Sequence, residues 1–268
     1  MTENLPWDTI LKFCQQLTQD IGKELLKKSG KLPALVKEDG SLVTQADRWA
    51  DGEIRKALTE KFPTHGLLTE ETKHIFPDTD WCWVIDPIDG TTNFTRGVPI
   101  WAISLGLLYK GTPVFGFVHL PPLRISFHGY WQGNSGLDLP TGAYLNNQLI
   151  HTTADNPSRG HLFNLCARSL KILQKPFPCK IRMIGVASYN ILLVAQGAAI
   201  GGIEASPKIW DLAAVWVILQ AAGGVFVCLD ADFTFPLQVG QNYGRKSLPT
   251  LALSRSDLIE VFKPLVNL

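Results

Sequence analysis

Two aspartates follow an apolar run in the stretch WCWVIDPIDGTTNF, residues 81–94. Asp86 ends the run, Pro87 follows it, and Asp89 lies three residues after Asp86. Residues three apart on a continuous strand point to opposite faces, and proline lacks the N–H that a central strand uses. We therefore predict that the strand ends at Asp86 and that a turn brings both carboxylates and the Ile88 carbonyl to one side.

Three hard oxygen ligands of this kind suit Mg²⁺, Mn²⁺ or Ca²⁺. Two ionised carboxylates in contact raise the pKa of one of them strongly unless a cation lies between them. Glu70, in the acidic pair that ends the preceding predicted strand, and Asp211, at the start of an apolar helix, are further candidate ligands. No lysine or arginine lies within these motifs, so the sequence predicts a divalent metal.

A glycine and hydroxyl residues complete the motif. Gly90 and Thr91 begin a predicted helix, where free backbone N–H groups hold phosphate oxygens. Acidic metal ligands beside a phosphate site indicate phosphoryl chemistry, in which two metals ~4 Å apart activate water and stabilise the leaving oxygen.

Each of these features also has a plainer interpretation. An Asp-Pro-x-Asp-Gly segment is often only a turn, Glu70 and Glu71 fit a solvated strand end, and Asp211 fits a helix N-cap. Their combination favours the metal site. The Asp-x-Asp-Gly-Thr motif of the haloacid-dehalogenase phosphatases does not match, because its acids are two residues apart rather than three.

The remaining patterns predict the elements that must position these residues. The spacing predicts helices over 7–28 and 44–62, the second with Thr44 as N-cap and Asp47 three residues later. Strands are predicted at 66–71 and 81–86, antiparallel strands over 100–131, and a turn and strand over 144–150. The second half alternates, with predicted helices around 158–173 and at 188–197, 210–222 and 257–266, and strands at 180–184, 200–205, 225–230 and 250–254.

This is a mixed α and β protein. We expect one domain of two lobes, about 1–150 and 151–268, with Asp211 and substrate contacts supplied by the second.

Composition excludes several classes of protein. Of 268 residues, 46% are hydrophobic, the net charge is +1, and lysines and arginines are dispersed, which argues against nucleic-acid binding. The longest apolar stretches fall short of the ~20 residues that span a membrane. Five widely spaced cysteines without a CxxC motif, together with a start that lacks a signal-peptide pattern, indicate a reduced, cytoplasmic setting.

The sequence resembles the inositol monophosphatase family, within the wider group of lithium-sensitive, Mg²⁺-dependent sugar-phosphate phosphatases. The resemblance runs nearly end to end. It rests on Lys37 with Leu42-Val43-Thr44-x-x-Asp47, Thr69-Glu70-Glu71-Thr72, Asp86-Pro87-Ile88-Asp89-Gly90-Thr91-Thr92-Asn93-Phe94, Gly142-Ala143-Tyr144-Leu145-Asn146, Trp210-Asp211-x-Ala213-Ala214 and Ala222-Gly223-Gly224. It implies a layered α-β-α-β-α sandwich of the inositol monophosphatase and fructose-1,6-bisphosphatase type, with the site between the lobes.

The resemblance also implies the metal ligands, for about two to three Mg²⁺ ions with Mn²⁺ as a substitute. The equivalents of Glu70, Asp86 and the Ile88 carbonyl hold the first ion. Those of Asp86, Asp89 and Asp211 hold the second, and a weaker third ion lies near Glu70.

The implied catalytic residues are Glu70, Thr91 and Asp47. The equivalents of Glu70 and Thr91 position and activate the attacking water, Asp47 supports Thr91, and the amides of Gly90 and Thr91 hold the phosphate.

The implied substrate contacts are Lys37, Glu204 and Gly185. Lys37 is placed near the metal site, although a solvated loop lysine fits equally. Glu204 matches the residue that contacts inositol hydroxyls, with a strand-edge surface acid as the alternative. Val186 follows Gly185 where the family usually has a small or hydroxyl residue, so the specificity surface looks altered.

The predicted activity is that of a Mg²⁺-dependent phosphomonoesterase for a small polyol or sugar phosphate, with hydrolysis of inositol monophosphate to inositol and phosphate as the first expectation. Alternatives are fructose-1,6-bisphosphatase, histidinol-phosphatase or 3′-phosphoadenosine phosphatase activity, or a non-catalytic regulatory relative. Dimers are common in such families, so we expect a homodimer whose ligand is a small phosphate ester, without a nucleic-acid or membrane partner.

Overall fold

Two helices on one face of a sheet open the described chain. The computed structural model describes residues 7–36, 42–174, 176–230 and 233–267. Helix α1 (Trp7–Lys28) is followed by the short antiparallel pair β1 (Leu35–Val36) and β2 (Leu42–Val43), and then by α2 (Gln45–Lys61). The predicted cap of α2 is confirmed, because Ala46 N donates to Thr44 Oγ1 at 3.0 Å and Thr44 N donates to Asp47 Oδ2 at 2.8 Å.

A seven-stranded sheet follows. Its strands lie in chain order, the first pair parallel and the rest antiparallel, as predicted for 100–131. The predicted turn and strand over 144–150 are also present. They are β3 (Gly66–Thr69), β4 (Trp81–Asp89), β5 (Ala102–Tyr109), β6 (Thr112–Leu120), β7 (Ile125–Tyr130), β8 (Gly142–Leu145) and β9 (Gln148–Leu149), with helix α3 (Thr91–Arg96) between β4 and β5.

The second half of the described chain builds a five-stranded sheet. Its strands are β10 (Leu162–Leu165), β11 (Lys180–Arg182), β12 (Gly201–Glu204), β13 (Val225–Cys228) and β14 (Thr250–Leu253), in the order β11-β10-β12-β14-β13. Helices α4 (Ala187–Ala195) and α5 (Ile209–Ala221) alternate with these strands, close to the predicted bounds.

Two predicted helices of this half are wrong. The region around 158–173 forms β10 and a 3₁₀ helix, Ala167–Lys171, because the short apolar run of β10 is buried between two parallel strands; periodicity alone does not distinguish such a run from a buried helix. The last predicted helix is divided into a 3₁₀ helix (Ser256–Leu258), one turn of α6 (Ile259–Phe262) and a second 3₁₀ helix (Lys263–Leu265). Pro264 in this last segment has no N–H to continue an α-helix.

The layers follow from three apolar clusters. One lies between α1, α2 and the seven-stranded sheet, a second surrounds α4 and α5 between the two sheets, and a third lies on the far side of the five-stranded sheet under the short C-terminal helices. This is the expected α-β-α-β-α sandwich, with an outer layer made of short helical turns. The division into two lobes at about residue 150 stays a prediction.

Helix α5 lies unusually close to the seven-stranded sheet. A Cβ on Gly106 of β5 would lie 2.9 Å from the Cβ of Ala213, and a Cβ on Gly116 of β6 would collide with the backbone of Ala214. The two glycines therefore allow the helix backbone to approach the strands, and α5 also contacts β4. This packing brings Asp211, in the first turn of α5, toward the end of β4.

No helix in the described ranges is both long enough and apolar enough to cross a membrane.

Candidate active site

A bulge in β4 sets the direction of its two aspartates. Asp86 pairs with Ser104 of β5 and Asp89 pairs with Ala102, so three steps along β4 match two steps along β5. One extra residue in a strand is a β-bulge, and it reverses the alternation of side chains beyond it. The prediction that the strand ends at Asp86 is therefore wrong, because β4 continues to Asp89 with Pro87 inside the bulge. The prediction that both carboxylates face one side is confirmed.

Asp86, Asp89 and Asp211 form a carboxylate cluster. Each offers one oxygen, and these oxygens all lie within 4.8 Å of one another. Asp86 and Asp89 are buried, and Asp211 is half-buried. Burial, followed by the charges of Glu70, Asp89 and Asp211, raises the pKa of Asp86 well above its usual value. Burial and the charge of Asp89 raise the pKa of Asp211 in the same way.

This donor set fits a divalent cation. Hard carboxylate oxygens are the ligands that Mg²⁺, Mn²⁺ and Ca²⁺ prefer. Like charges this close in a buried site are costly unless a cation neutralises them.

Backbone N–H groups fix two of these carboxylates. Asp89 Oδ1 accepts from Ala187 N at 3.2 Å, and Asp89 Oδ2 accepts from Ser188 N at 2.7 Å, so Asp89 caps the start of α4. Asp211 Oδ2 accepts from Lys208 N at 2.6 Å at the start of α5. Asp211 is therefore not the N-cap, which is Lys208, but the third residue of α5, and its carboxylate both accepts from the N-cap N–H and lies in the cluster. The two helices that lie between the sheets are thus bonded to the carboxylates at the end of β4.

A cavity of about 220 Å³ opens beside the cluster. Glu70 lines it together with the three aspartates, Ile88, Gly90, Thr91 and Thr92. The backbone of Glu70 is held on both sides, because its N–H donates to Ile85 O at 3.1 Å and the His74 ring bonds to its carbonyl at 2.7 Å. The structure therefore brings all five predicted metal ligands, including the Ile88 residue, to one cavity.

Thr91 connects this cavity to Asp47. The Thr91 hydroxyl lies 3.2 Å from Asp47 Oδ1 and 3.0 Å from Ile88 O, and it can donate to either. Asp47 is buried, and its other oxygen accepts from the N–H and the hydroxyl of Thr44. Burial raises the pKa of Asp47 despite these hydrogen bonds. Asp47, the acidic member of the α2 capping box, thus also orients the hydroxyl of Thr91.

Gly90 is required at the start of α3 on two grounds. Its φ is +89°, in the left-handed region that favours glycine, and a Cβ there would lie 2.7 Å from Val186 Cγ2. Gly185 precedes Val186 and has a φ of +80°, and its carbonyl oxygen lies 3.3 Å from the same Cβ position. The structure therefore places Gly185 against Gly90, at the edge of the phosphate motif.

Glu204 is not a surface acid. It lies on β12, between β10 and β14, and only 4% of it is exposed. Asn190 Nδ2 donates to Glu204 Oε1 at 2.7 Å, and burial raises the pKa of Glu204 to about 7. The alternative of a strand-edge acid is therefore wrong. Lys37 lies outside the described residues.

Sequence reasoning missed a basic rim of the cavity, which consists of Arg168 and Lys208, with Ser206 as a further lining residue. Arg168 Nη1 donates to Ser206 Oγ at 2.9 Å, and Lys208 Nζ donates to the carbonyl of Arg245 at 3.3 Å. Lys208 could have been found, since it lies three residues before Asp211. Arg168 was hidden by the wrong helix around 158–173.

Fold and site together define a class of protein, an α-β-α-β-α sandwich with a carboxylate cluster at the end of a bulged strand between its two sheets. The chain belongs to the inositol monophosphatase family, whose model matches residues 7–255. It is 32% identical over 233 residues to the fructose-1,6-bisphosphatase/inositol-1-monophosphatase of Aquifex aeolicus, covering 82% of each chain. It is 33% identical over 207 residues to the histidinol-phosphatase of Mycobacterium tuberculosis, covering 72% of this chain and 76% of that one.

Solved structures agree with this assignment. The Thermotoga maritima IMPase superposes with a TM-score of 0.79 at 25% identity, covering 96% of each chain. The family and these relatives are phosphatases, and the chain is accordingly a phosphoric monoester hydrolase.

Proposed function

We propose that this protein is a Mg²⁺-dependent phosphomonoesterase that hydrolyses a small polyol or sugar phosphate, with inositol monophosphate as the first candidate. One observation carries the proposal, namely the cluster of Asp86, Asp89 and Asp211 directly beside the Gly90-Thr91 helix start. Buried carboxylates need cations, and cations beside free N–H groups suit a phosphate ester.

We assign the metal ligands to Glu70, Asp86, Asp89, Asp211 and the Ile88 carbonyl. Mg²⁺, when bound there, lowers the pKa of water and stabilises the charge that develops on the leaving oxygen. The five groups line one cavity, which supports a site for about two to three ions.

Residues of the chain then orient the reactants. We assign the Thr91 hydrogen bond to Asp47, because the Ile88 carbonyl is an assigned metal ligand; the lone pairs of the Thr91 hydroxyl then face away from Asp47 and can accept from a water. Glu70 is the second acceptor for that water. The first N–H groups of α3 are directed out of the helix start and bind the phosphate oxygens.

The substrate end of the site is assigned to Glu204 and the neighbouring backbone. Glu204 and Asp89 are both bonded to α4, the first through Asn190 and the second through Ala187 and Ser188. Glu204 does not line the cavity, so its assignment rests on this shared bonding to α4 and on its match to the family position that contacts inositol hydroxyls. The names of the relatives keep fructose-1,6-bisphosphatase and histidinol-phosphatase activities as alternatives.

The proposal extends to a cytoplasmic homodimer. All five cysteines are unpaired and three of them are buried, which supports a reducing compartment. Analytical ultracentrifugation at micromolar concentration would show the dimer, and a monomer across that range would contradict it.

Phosphate release from a panel of phosphomonoesters at millimolar Mg²⁺ tests the activity. The expected result is turnover that disappears with EDTA and returns with added Mg²⁺. Asp86→Asn is the matched inactive control. An absence of turnover on every substrate, with the protein folded by circular dichroism, would contradict the proposal.

A further inference from the structure

The catalytic cavity has two walls of opposite charge. Glu70 and the three clustered aspartates form the acidic wall, whereas Arg168 and Lys208 form the basic rim of the same cavity. All of these residues line one cavity of about 220 Å³, so a single small molecule can touch both walls. The acidic wall needs metal ions, and those ions would bind the reacting phosphate, so the rim cations are left for another part of the substrate.

The rim cations keep hydrogen-bond donors for a ligand. Arg168 is exposed and has one hydrogen bond, from Nη1 to Ser206. Lys208 is half-buried and donates to one backbone carbonyl. Guanidinium and ammonium groups each carry more donors than these bonds use. In the described ranges neither residue takes part in an ion pair.

The buried acid Glu204 does not form an ion pair with Arg168 among the described residues. The charge of Arg168 does lower the pKa of Glu204, yet burial outweighs it and the pKa remains at about 7. Glu204 accepts hydrogen bonds from Asn190 and Cys166, whereas the Arg168 guanidinium donates to the neutral hydroxyl of Ser206. Because Ser206 holds one end of a planar, permanently charged group, the remaining N–H groups are preoriented for a planar or tetrahedral anion.

We propose that Arg168 and Lys208 form a second anion subsite, which recognises a carboxylate or second phosphate on the substrate. The inference rests on the proposed function and narrows its substrate class. A sugar phosphate with a second anionic group is preferred over one whose only charge is the reacting phosphate, so inositol monophosphate, the first candidate above, would be the weaker substrate. A phosphate ester with a protonated amine, such as histidinol phosphate, is disfavoured because the rim repels it.

Fructose 1-phosphate and fructose 1,6-bisphosphate test the subsite, because they differ only in the second phosphate. The wild-type protein should hydrolyse the bisphosphate with about a tenfold or greater advantage in kcat/KM. Arg168→Gln should remove most of this advantage by raising KM, with a much smaller loss on fructose 1-phosphate. Lys208→Gln should also reduce the kcat/KM advantage of the bisphosphate by raising KM. Raising the ionic strength should weaken the preference, since the rim is partly solvent-exposed.

Arg159→Gln is the matched control, because Arg159 is an exposed arginine of the same half of the chain that does not line the cavity. It should preserve the preference. Equal kcat/KM for the two substrates in the wild type, or equal losses on both in Arg168→Gln, would overturn the subsite while leaving the phosphatase intact. If neither substrate is hydrolysed, the proposed function fails on these esters. Calorimetric binding of the bisphosphate, at least tenfold weaker in Arg168→Gln, would then still support the subsite, and equal binding would overturn it.

Discussion

The acidic wall and the basic rim of the cavity are held in different ways. On the wall, backbone N–H groups fix the carboxylates: Ile88 N donates to Asp86 at 3.0 Å, Ser188 N donates to Asp89, and Lys208 N donates to Asp211. On the rim, long side chains reach the cavity with one hydrogen bond each. Groups that take part in the chemistry need fixed positions, because misplacement by 1 Å is costly in rate. Groups that only recognise a distant part of the substrate tolerate more freedom.

The two walls also differ in what their removal should do. Loss of a fixed carboxylate should abolish turnover of every substrate, whereas loss of a rim cation should change the choice between substrates. The predictions below test this difference, beginning with the largest effect.

Asp89→Asn should reduce kcat/KM for all substrates by about a thousandfold or more. The change removes one charge from the cluster and weakens Mg²⁺ binding, which calorimetry measures. Asparagine keeps only one acceptor oxygen for the two N–H groups of α4, so the free energy of unfolding should fall by about 1 kcal/mol.

Asp138→Asn is the matched control, an exposed aspartate away from the cavity. Should Asp89→Asn retain turnover on one substrate and lose it on another, Asp89 would behave as a rim residue and the contrast between the walls would fail.

Thr91→Ala should lower kcat about a hundredfold while leaving Mg²⁺ affinity near normal, because the hydroxyl orients water but is not an assigned metal ligand. Thr91→Ser, which keeps the hydroxyl, should recover most of the activity. Thr95→Ala in the same helix is the control, since the Thr95 hydroxyl bonds to Thr92 O. A loss of metal affinity in Thr91→Ala as large as in Asp89→Asn would contradict the separate roles.

The same contrast separates what could be predicted from the sequence from what could not. The wall was predictable because Asp86, Ile88, Asp89 and Gly90 are close in sequence, and their chemistry restricts their arrangement. Even so, the bulge was missed. A proline after an aspartate indicates a strand end as readily as a bulge, and only the partner strand shows which one occurs.

The rim was not predictable because its residues come from separate segments. Arg168 follows β10, and Lys208 lies between β12 and α5, so only the packing of the five-stranded sheet brings them together. The burial of Glu204 could not be predicted for the same reason. Its position matched a family residue, but its burial depends on β12 being an inner strand, which the chain order does not reveal.

Glu204→Gln should raise KM for a polyol phosphate by about tenfold, with a smaller change in kcat. The pKa of Glu204 is about 7, so the side chain is protonated below that pH and ionised above it. An ionised carboxylate accepts hydroxyl protons more strongly, and KM should therefore fall as pH rises through 7 in the wild type. Glutamine should flatten that profile. A KM profile with the same slope in both proteins would assign the titration to another group.

The smallest effect that we predict is the change in thermal stability when the metal is removed. Folding raises the pKa values of Asp86 and Asp211 above the ordinary 3.8, so the folded state holds their protons more tightly than the unfolded state does. Their contribution to stability is therefore fully present below that value and is lost as pH rises through the raised pKa values. In EDTA, the Tm of the wild-type protein should fall between pH 5 and pH 8 by about 3 to 6 °C more than the Tm of the Asp86→Asn variant does.

Saturating Mg²⁺ should reverse most of this fall, because the ion binds the folded state and replaces the protons. Arg159→Gln should follow the wild-type profile, since Arg159 is exposed and does not line the cavity that holds the carboxylate cluster. Differential scanning fluorimetry of the three proteins with EDTA or Mg²⁺ would measure this. If Asp86→Asn loses as much stability with rising pH as the wild type, mutual repulsion of the carboxylates is not what the metal relieves, and the buried acidic wall would be stable without its cations.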